Sequence, residues 1–178
     1  WRTTGRSIAM QAFDAATEDT GAQGAGDLGE HAMDAAFYCD RFSISPDAVR
    51  DALSRLVAAL AQAGPAMTAT IDTAACEIVL AEVLNNIAEH AYAEVAGGPV
   101  RVRAASTPCG IIFEVEDRGP SLPPALLVPP PAPSPDGSDV GSLAEGGYGW
   151  FMIHSLTRDL KHRRVRGWNR LQFVIPGG

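Results

Sequence analysis

The chain has 178 residues, 46% of them hydrophobic, and a formal net charge of −7 at pH 7, which fits one compact domain with a core of its own. The negative charge argues against a general nucleic-acid binder, because such proteins neutralise phosphates with lysines and arginines across a whole face. Three widely separated cysteines without a CxxC pair argue against a disulfide framework or zinc site, so we expect a cytoplasmic protein. No apolar run approaches the roughly 18 residues that span a bilayer, so we expect no membrane partner.

The first 36 residues are rich in alanine, glycine and acidic residues and hold too few large apolar side chains to form a layer. We expect residues 1–36 to form a flexible extension, with one short helix near residues 8–16. The remaining residues, 37–178, are predicted to be a single domain.

The domain opens with a predicted strand over residues 37–44. Ser45 then offers a helix N-cap, and Pro46 suits the first helical position. Apolar residues recur at intervals of three and four up to residue 63, where Gly64 and Pro65 follow. This pattern predicts a helix over residues 46–63 with one buried face.

A second helix is predicted to begin after Asp72 and to end near Glu94. It carries an apolar stripe and, at the same spacing, a polar stripe made only of carboxylates and carboxamides: Glu82, Asn85, Asn86 and Glu89. Two strands, 100–106 and 111–116, follow as an antiparallel hairpin with a turn at residues 107–110.

Residues 117–149 hold eight prolines from Pro120 to Pro135 and then a tail rich in glycine, serine and aspartate. A connection longer than about 12–15 residues is usually a functional loop or a linker, so we expect residues 121–145 to form a lid over a site. A helix over residues 148–160 and a hairpin of strands 161–165 and 171–175 complete the prediction. The element order indicates an α+β fold in two layers, with a mixed, mostly antiparallel sheet and helices on one face.

Three separate segments carry residues suited to chemistry. On a helix, Glu82 and Asn86 face the same way, and a carboxylate beside a carboxamide oxygen suits a Mg²⁺ ion that is also held by phosphates. Taken alone, this polar stripe is more typical of a solvated face.

The second segment is Glu116 to Pro120, where Asp117 ends an apolar strand and Gly119 follows. Such a carboxylate can accept a hydrogen bond from a ligand amine, although aspartate and glycine also favour simple turns. The third is Glu145 to Gly149, whose glycines precede a helix and allow backbone N–H groups to approach phosphate. A flexible hinge is an equal interpretation.

The order of these segments resembles the N box and the two glycine boxes of the GHKL ATPase superfamily. The pair Glu82 and Asn86 with His90-Ala91-Tyr92 behind it, and Gly147-x-Gly149 followed by Asn169-Arg170-Leu171, are most similar to bacterial anti-sigma-factor serine-protein kinases. The resemblance covers residues 37–176. Ser121 departs from it where the family usually has glycine, and residues 170–172 lack the threonine that the family often places near adenine.

The resemblance implies that ATP and Mg²⁺ are bound. Glu82 would be the general base for a serine hydroxyl, Asn86 would bind Mg²⁺, and Asp117 would hold the adenine amino group. Gly119, Gly147 and Gly149 would line the nucleotide.

By the same resemblance, the partners would be a sigma factor and a STAS-domain antagonist, with no direct nucleic-acid contact and a possible homodimer. Two alternatives stay open: the ATP-binding part of a histidine kinase, and a nucleotide-responsive binding module without kinase activity. Outside the three segments, the cluster Lys161, Arg163, Arg164 and Arg166 is expected to be a solvated face. His154 and His162 are expected at the surface or at a helix cap, and Trp150 is expected to pack the helix after the lid.

Overall fold

The computed structural model describes residues 32–63, 70–92, 97–129 and 147–178. The predicted short helix near residues 8–16, most of the predicted extension and most of the predicted lid lie outside these ranges. The predicted end of the second helix near Glu94 also lies outside them.

The described strands form one five-stranded sheet in the order β1-β2-β3-β5-β4. Each strand pair is antiparallel. The sheet carries its helices on one face, so the predicted α+β sandwich is confirmed. The strand bounds are β1 Tyr38–Ser43, β2 Pro99–Thr107, β3 Gly110–Asp117, β4 Arg158–Val165 and β5 Trp168–Pro176.

The helices begin where the sequence places their caps. Helix α1 is Pro46–Gln62, and the Ser45 side chain accepts a hydrogen bond from the Ala48 N–H. Helix α2 is Thr73–Asn86, capped by Asp72, whose side chain accepts from the Ala75 N–H. Each cap satisfies an N–H group that has no partner within the helix. Helix α3 is Gly147–Leu156.

The main core lies between the helices and the sheet. Central strand β3 is buried along its whole length, and Phe113 stacks on Phe173 of β5 with ring centroids 5.3 Å apart. From α1 and α2, Leu56, Leu80 and Leu84 are fully buried against this layer. Burying side chains of this size contributes about 1.5–3 kcal/mol each, so this layer is the main source of stability.

A smaller cluster lies apart from this core. Met33 is buried there with Ala105 of β2 and Ile112 of β3, and Ala32 and Ala36 pack against them. Because side chains alternate along a strand, Ile112 lies on the opposite face from the core residue Phe113. Residues 32–36 therefore pack against the sheet. The boundary between residues 36 and 37 stays a prediction.

The prediction that the last helix continues to Leu160 is wrong. Helix α3 ends at Leu156, and β4 already pairs Arg158 with Val174. The Thr157 hydroxyl donates to the Ile153 carbonyl at 2.6 Å, which is the carbonyl that a further helical N–H would use. Within β4, Asp159 adopts a left-handed φ of 54° at the shift in register between Arg158 and Lys161.

None of the helices in the described ranges has the length and apolar character that crossing a membrane requires.

Candidate active site

A cavity of about 420 Å³ opens beside the carboxyl-terminal end of α2, where the ends of the central strands meet α3. Apolar side chains make most of its wall, and a few polar groups converge on it, as is usual for small-molecule sites. The polar lining residues are Asn86, His90, Asp117, Ser121, His162 and Asn169.

Asp117 ends β3 and points one of its oxygens into a fixed hydrogen-bond network. Oδ1 accepts from the Gly119 N–H at 2.7 Å and from Asn169 Nδ2 at 2.9 Å. Within the described residues no hydrogen bond reaches Oδ2, although the side chain is buried. A fixed carboxylate with one oxygen left over can accept a hydrogen bond from a ligand in the cavity.

Asn169 on β5 fixes the position of Asp117. Its Nδ2 also donates to the Pro120 carbonyl at 2.7 Å, and its Oδ1 accepts from Arg164 Nη1 at 2.7 Å. The same Arg164 nitrogen donates to the Gly119 carbonyl at 2.8 Å. This network joins β3, β4 and β5 to the start of the segment after β3.

Sequence reasoning missed Asn169 as a site residue, although a signal was present. Along β5, Leu171, Phe173 and Ile175 alternate as core residues, and Asn169 continues their series as the one polar member. A polar residue at an inward-facing strand position needs a partner, and here that partner is Asp117.

Glu82, Asn86 and Gly149 meet where α2 and α3 pack together. A Cβ atom placed on Gly149 would lie 2.6 Å from Glu82 Oε2 and 3.6 Å from Asn86 Nδ2. The first turn of α3 therefore approaches both side chains as closely as a glycine allows. The structure brings together the residues that the sequence pairs, and their chemical roles stay predictions.

The Asn86 amide has an unused polar atom. Its Nδ2 is fully buried and has no hydrogen-bond partner among the described residues, which is costly for a polar group. The two ends of a carboxamide have the same shape, so a half-turn of the amide would place an oxygen acceptor at this point.

This unpartnered atom fits the proposed metal. The described residues contain no cluster of three or more His, Cys, Asp or Glu side chains that could hold a metal ion by themselves. Mg²⁺ needs no such cluster when one or two protein oxygens and substrate phosphates hold it. The donor set at Glu82 and Asn86 is of that kind.

The helix widens at the cavity. After Asn86 the chain continues as a π-helical turn, Ile87–Ala91, and Ile87 and Ala91 line the cavity. The predicted helix therefore continues beyond Asn86, in π-helical form. Such turns are rare and occur often at functional sites.

Gly119 lies against this π-helical turn. A Cβ atom on Gly119 would come within 2.4 Å of Ala91 Cβ, so only glycine lets the segment after β3 pass. Tyr92 holds the same junction, because its hydroxyl accepts from the Arg118 N–H at 2.8 Å and donates to the Pro99 carbonyl at 3.2 Å. Burial raises the pKa of this hydroxyl, so it stays protonated.

Gly147 is the first residue of α3, and Gly149 lies in its first turn. A helix amino terminus presents free N–H groups and partial positive charge, which suit a phosphate. Glu145 and Gly146 lie outside the described residues.

Three residues expected to be peripheral belong to the site. His162 lines the cavity, and its Nε2 lies 3.4 Å from Asn169 Oδ1. Arg164 is exposed, as predicted for the basic cluster, and it also donates a hydrogen bond to Asn169. His154 Nε2 lies 2.8 Å from the carbonyl oxygen of Leu126, in the 3₁₀ helix Pro124–Leu127. Trp150 packs α3 as predicted and also lines the cavity.

The comparison with protein families identifies this arrangement. The family described as the histidine kinase-like ATPase domain matches residues 42–175, more than half of the chain. The chain belongs to the histidine kinase-like ATPase domain family. A comparison with curated proteins gave no match.

As a histidine kinase-like ATPase domain, the chain is a member of the GHKL superfamily and a nucleotide-binding protein. Domains of this type bind ATP, typically with Mg²⁺. The matched region contains α1, α2, α3, the ends of the central strands and every residue that lines the cavity.

Proposed function

We propose that this histidine kinase-like ATPase domain is a serine-protein kinase of the anti-sigma-factor type. In this proposal it binds Mg-ATP, phosphorylates a serine of a STAS-domain antagonist and sequesters a sigma factor. The observation that carries the enzymatic part is the meeting of Glu82, Asn86 and Gly149 beside the cavity that Asp117 also lines.

Asp117 recognises adenine in this proposal. Its Oδ1 is occupied by Gly119 and Asn169, so Oδ2 is the atom that accepts from the exocyclic amine. The apolar wall around it, including Ile87 and Leu171, receives the flat ring. Guanine carries a carbonyl oxygen where adenine carries the amine, so the same carboxylate selects against it.

Glu82 is the general base. Its carboxylate accepts the proton of the serine hydroxyl as the serine oxygen forms a bond to the γ-phosphorus. The bond from that phosphorus to the β–γ bridging oxygen breaks, and the bridging oxygen keeps the electron pair in ADP. A carboxylate suits this role because it accepts hydrogen bonds and carries no proton of its own.

Asn86 and the first turn of α3 position the phosphates. Asn86 would hold the ion through its amide oxygen, and the free N–H groups of the first turn of α3 would donate to the phosphate oxygens. When bound, Mg²⁺ neutralises phosphate charge. Phosphoryl transfer depends mainly on positioning and charge neutralisation, and these residues supply positioning.

The partners rest on the resemblance in the motifs. Glu82 and Asn86 with His90-Ala91-Tyr92, and Gly147-x-Gly149 ahead of β4, are the pattern of anti-sigma-factor serine kinases. Tyr92 supports the importance of that pattern, because it ties the end of the π-helical turn to β2 and β3. A homodimer is part of the same proposal.

Labelled ATP separates this proposal from its two alternatives. We expect the wild-type chain to transfer the γ-phosphoryl group to a STAS-domain protein in an acid-stable form, because phosphoserine withstands acid and phosphohistidine does not. An acid-labile product would favour the histidine-kinase alternative. ATP binding without any transfer would favour the binding module.

The Glu82→Gln variant tests the mechanism. The amide keeps the shape of the side chain but cannot accept the proton, so transfer should fall by about 10²–10⁴-fold. ATP affinity by calorimetry should change little, because a base acts mainly in the transition state. Glu89→Gln, on an exposed residue of the π-helical turn, is the matched control. Transfer at the wild-type rate by Glu82→Gln would contradict the assignment.

A further inference from the structure

The face of the sheet opposite the helices carries a row of charged residues that crosses all five strands. In the register of the sheet, Arg41 pairs with Arg101, Arg101 with Glu116, Glu116 with Arg170, and Arg170 with Arg163. Residues directly opposite one another in a sheet share a face. This arginine row therefore has four arginines and one carboxylate, although the chain as a whole is acidic.

The one carboxylate is already used. Glu116 is buried, accepts from Arg170 at 2.9 and 3.1 Å, and lies 3.7 Å from Arg101. Among the described residues no carboxylate pairs with the guanidinium group of Arg41. Arg41 lies directly opposite Arg101, and like charges facing each other across strands are unfavourable. An anion between them would relieve that repulsion.

A third arginine and a tryptophan complete a groove at one end of the row. Arg101 and Arg118 place their guanidinium carbons 4.2 and 4.6 Å from the centroid of the Trp168 ring. Stacking on an aromatic ring holds a guanidinium group in place while its N–H edge stays available. The groove has a volume of about 570 Å³, and Arg41, Phe42, Pro99, Arg101, Arg118 and Trp168 line it.

The lining selects one class of ligand. Exposed Pro99 gives the groove an apolar part beside its cationic part, which suits a chain that alternates acidic and apolar side chains. Among the described strands β1 lies at one edge of the sheet, and the outer backbone groups of an edge strand can pair with an extended peptide. Trp168 is already stacked by two guanidinium groups, which leaves it unsuited as a platform for nucleic-acid bases.

We propose that this groove binds an extended acidic segment of a protein partner. A carboxylate of the segment lies between Arg41 and the two guanidinium groups on Trp168, and a neighbouring apolar side chain rests on Pro99. The groove is separate from the nucleotide cavity, with which it shares no lining residue. The proposal therefore stands independently of the kinase assignment.

The test uses a short fluorescent peptide in which glutamate alternates with leucine, and measures binding to the full chain by anisotropy. The double variant Arg41→Gln, Arg118→Gln should weaken binding at least about tenfold, because hydrogen bonds to charged groups contribute more than those between neutral groups. Both side chains are exposed, so the fold should survive. ATP affinity should stay unchanged.

The double variant Arg50→Gln, Arg158→Gln removes the same charge from exposed arginines of α1 and of the far end of β4 and should bind like the wild type. Equal weakening in both double variants would show only general charge attraction and would overturn the proposal. Equal binding of a peptide with lysine in place of glutamate, or tighter binding of a single-stranded oligonucleotide, would also overturn it.

Discussion

At the scale of single residues, the site combines polar atoms that have hydrogen-bond partners with a buried polar atom that has none among the described residues. Asp117 Oδ1 accepts two hydrogen bonds, and Asn169 is held through both ends of its amide. Asn86 Nδ2, by contrast, is buried without a described partner. The groups that are held by hydrogen bonds define where a ligand binds. The buried group without a partner is the one that a bound ligand stabilises most.

Asn169 tests the importance of the fixed groups. Asn169→Ala removes the donor to Asp117 and leaves Arg164 without its side-chain acceptor, so ATP affinity should fall about tenfold. Asn169→Thr keeps a hydroxyl donor and should lose less. Gln172→Ala is the control, because Gln172 lies on the same strand but donates to Glu114 on the opposite face. Titration calorimetry measures all three, and unchanged affinity in Asn169→Ala would show that Asp117 is held without it.

Gly149 tests how closely the helices must approach. Alanine favours a helix over glycine by about 1 kcal/mol, but its Cβ would lie 2.6 Å from Glu82 Oε2. The higher helix propensity and the steric conflict have opposite effects on the free energy of unfolding. Displacement of the Glu82 carboxylate affects phosphoryl transfer alone. We expect Gly149→Ala to have nearly wild-type stability and phosphoryl transfer reduced at least about tenfold, because misplaced catalytic groups lose rate steeply.

Gly167→Ala is the reverse control. Nothing lies within 4 Å of its new Cβ, but its φ of +81° is left-handed. This variant should lose about 1 kcal/mol of stability while transferring phosphate normally. If both variants lost activity equally, the effect of Gly149→Ala would be one of folding.

At the scale of elements, the sequence predicted the strands, the helix starts and the end of α1 well, and it placed the end of α3 four residues too late. Ser45 and Asp72 mark helix starts because a side chain next in sequence supplies the cap. The end of α3 depends instead on the pairing of Arg158 with Val174, a contact between distant parts of the chain. The spacing of Leu156 and Leu160 suits a helix and gives no sign of that pairing.

In the site, too, the sequence predicted what depends on neighbouring residues and missed contacts between distant parts of the chain. Glu82 and Asn86 were found together because helical spacing is local, and their closeness to Gly149 followed from the motif resemblance. The links of Arg164 to Gly119 and of His154 to Leu126 join residues more than 25 positions apart. No local pattern encodes such contacts, and an arginine on a strand looks solvated in sequence.

The contact between His154 and Leu126 predicts a measurable change. It ties α3 to the 3₁₀ helix Pro124–Leu127 at the start of the predicted lid, so His154→Ala should make this segment easier to cleave with thermolysin, which cuts beside large apolar residues. His154→Gln keeps an N–H donor and should be cleaved less. Mg-ATP should protect the wild type if residues 121–145 close over nucleotide, and equal cleavage with and without nucleotide would contradict a lid.

At the scale of the whole molecule, nucleotide binding should appear as stability. A ligand at a hundred times its dissociation constant stabilises the native state by about 2.7 kcal/mol, which corresponds to a rise in Tm of roughly 5–10 °C. We expect this rise with Mg-ATP, a smaller rise after EDTA because Asn86 then has no ion to bind, and little rise with Mg-GTP. Scanning fluorimetry measures it, and equal rises with ATP and GTP would remove the role of Asp117.

The alternating side-chain directions at the end of β3 limit insertions and deletions in that strand. Asp117 faces the cavity, while its neighbours Glu116 and Arg118 face the arginine row, so one strand end serves both surfaces by strict alternation. Inserting or deleting one residue within β3 would turn Arg118 or Glu116 toward the nucleotide and Asp117 toward the arginines. Natural and engineered variants of this domain should therefore accept substitutions along β3 far more readily than any change in its number of residues.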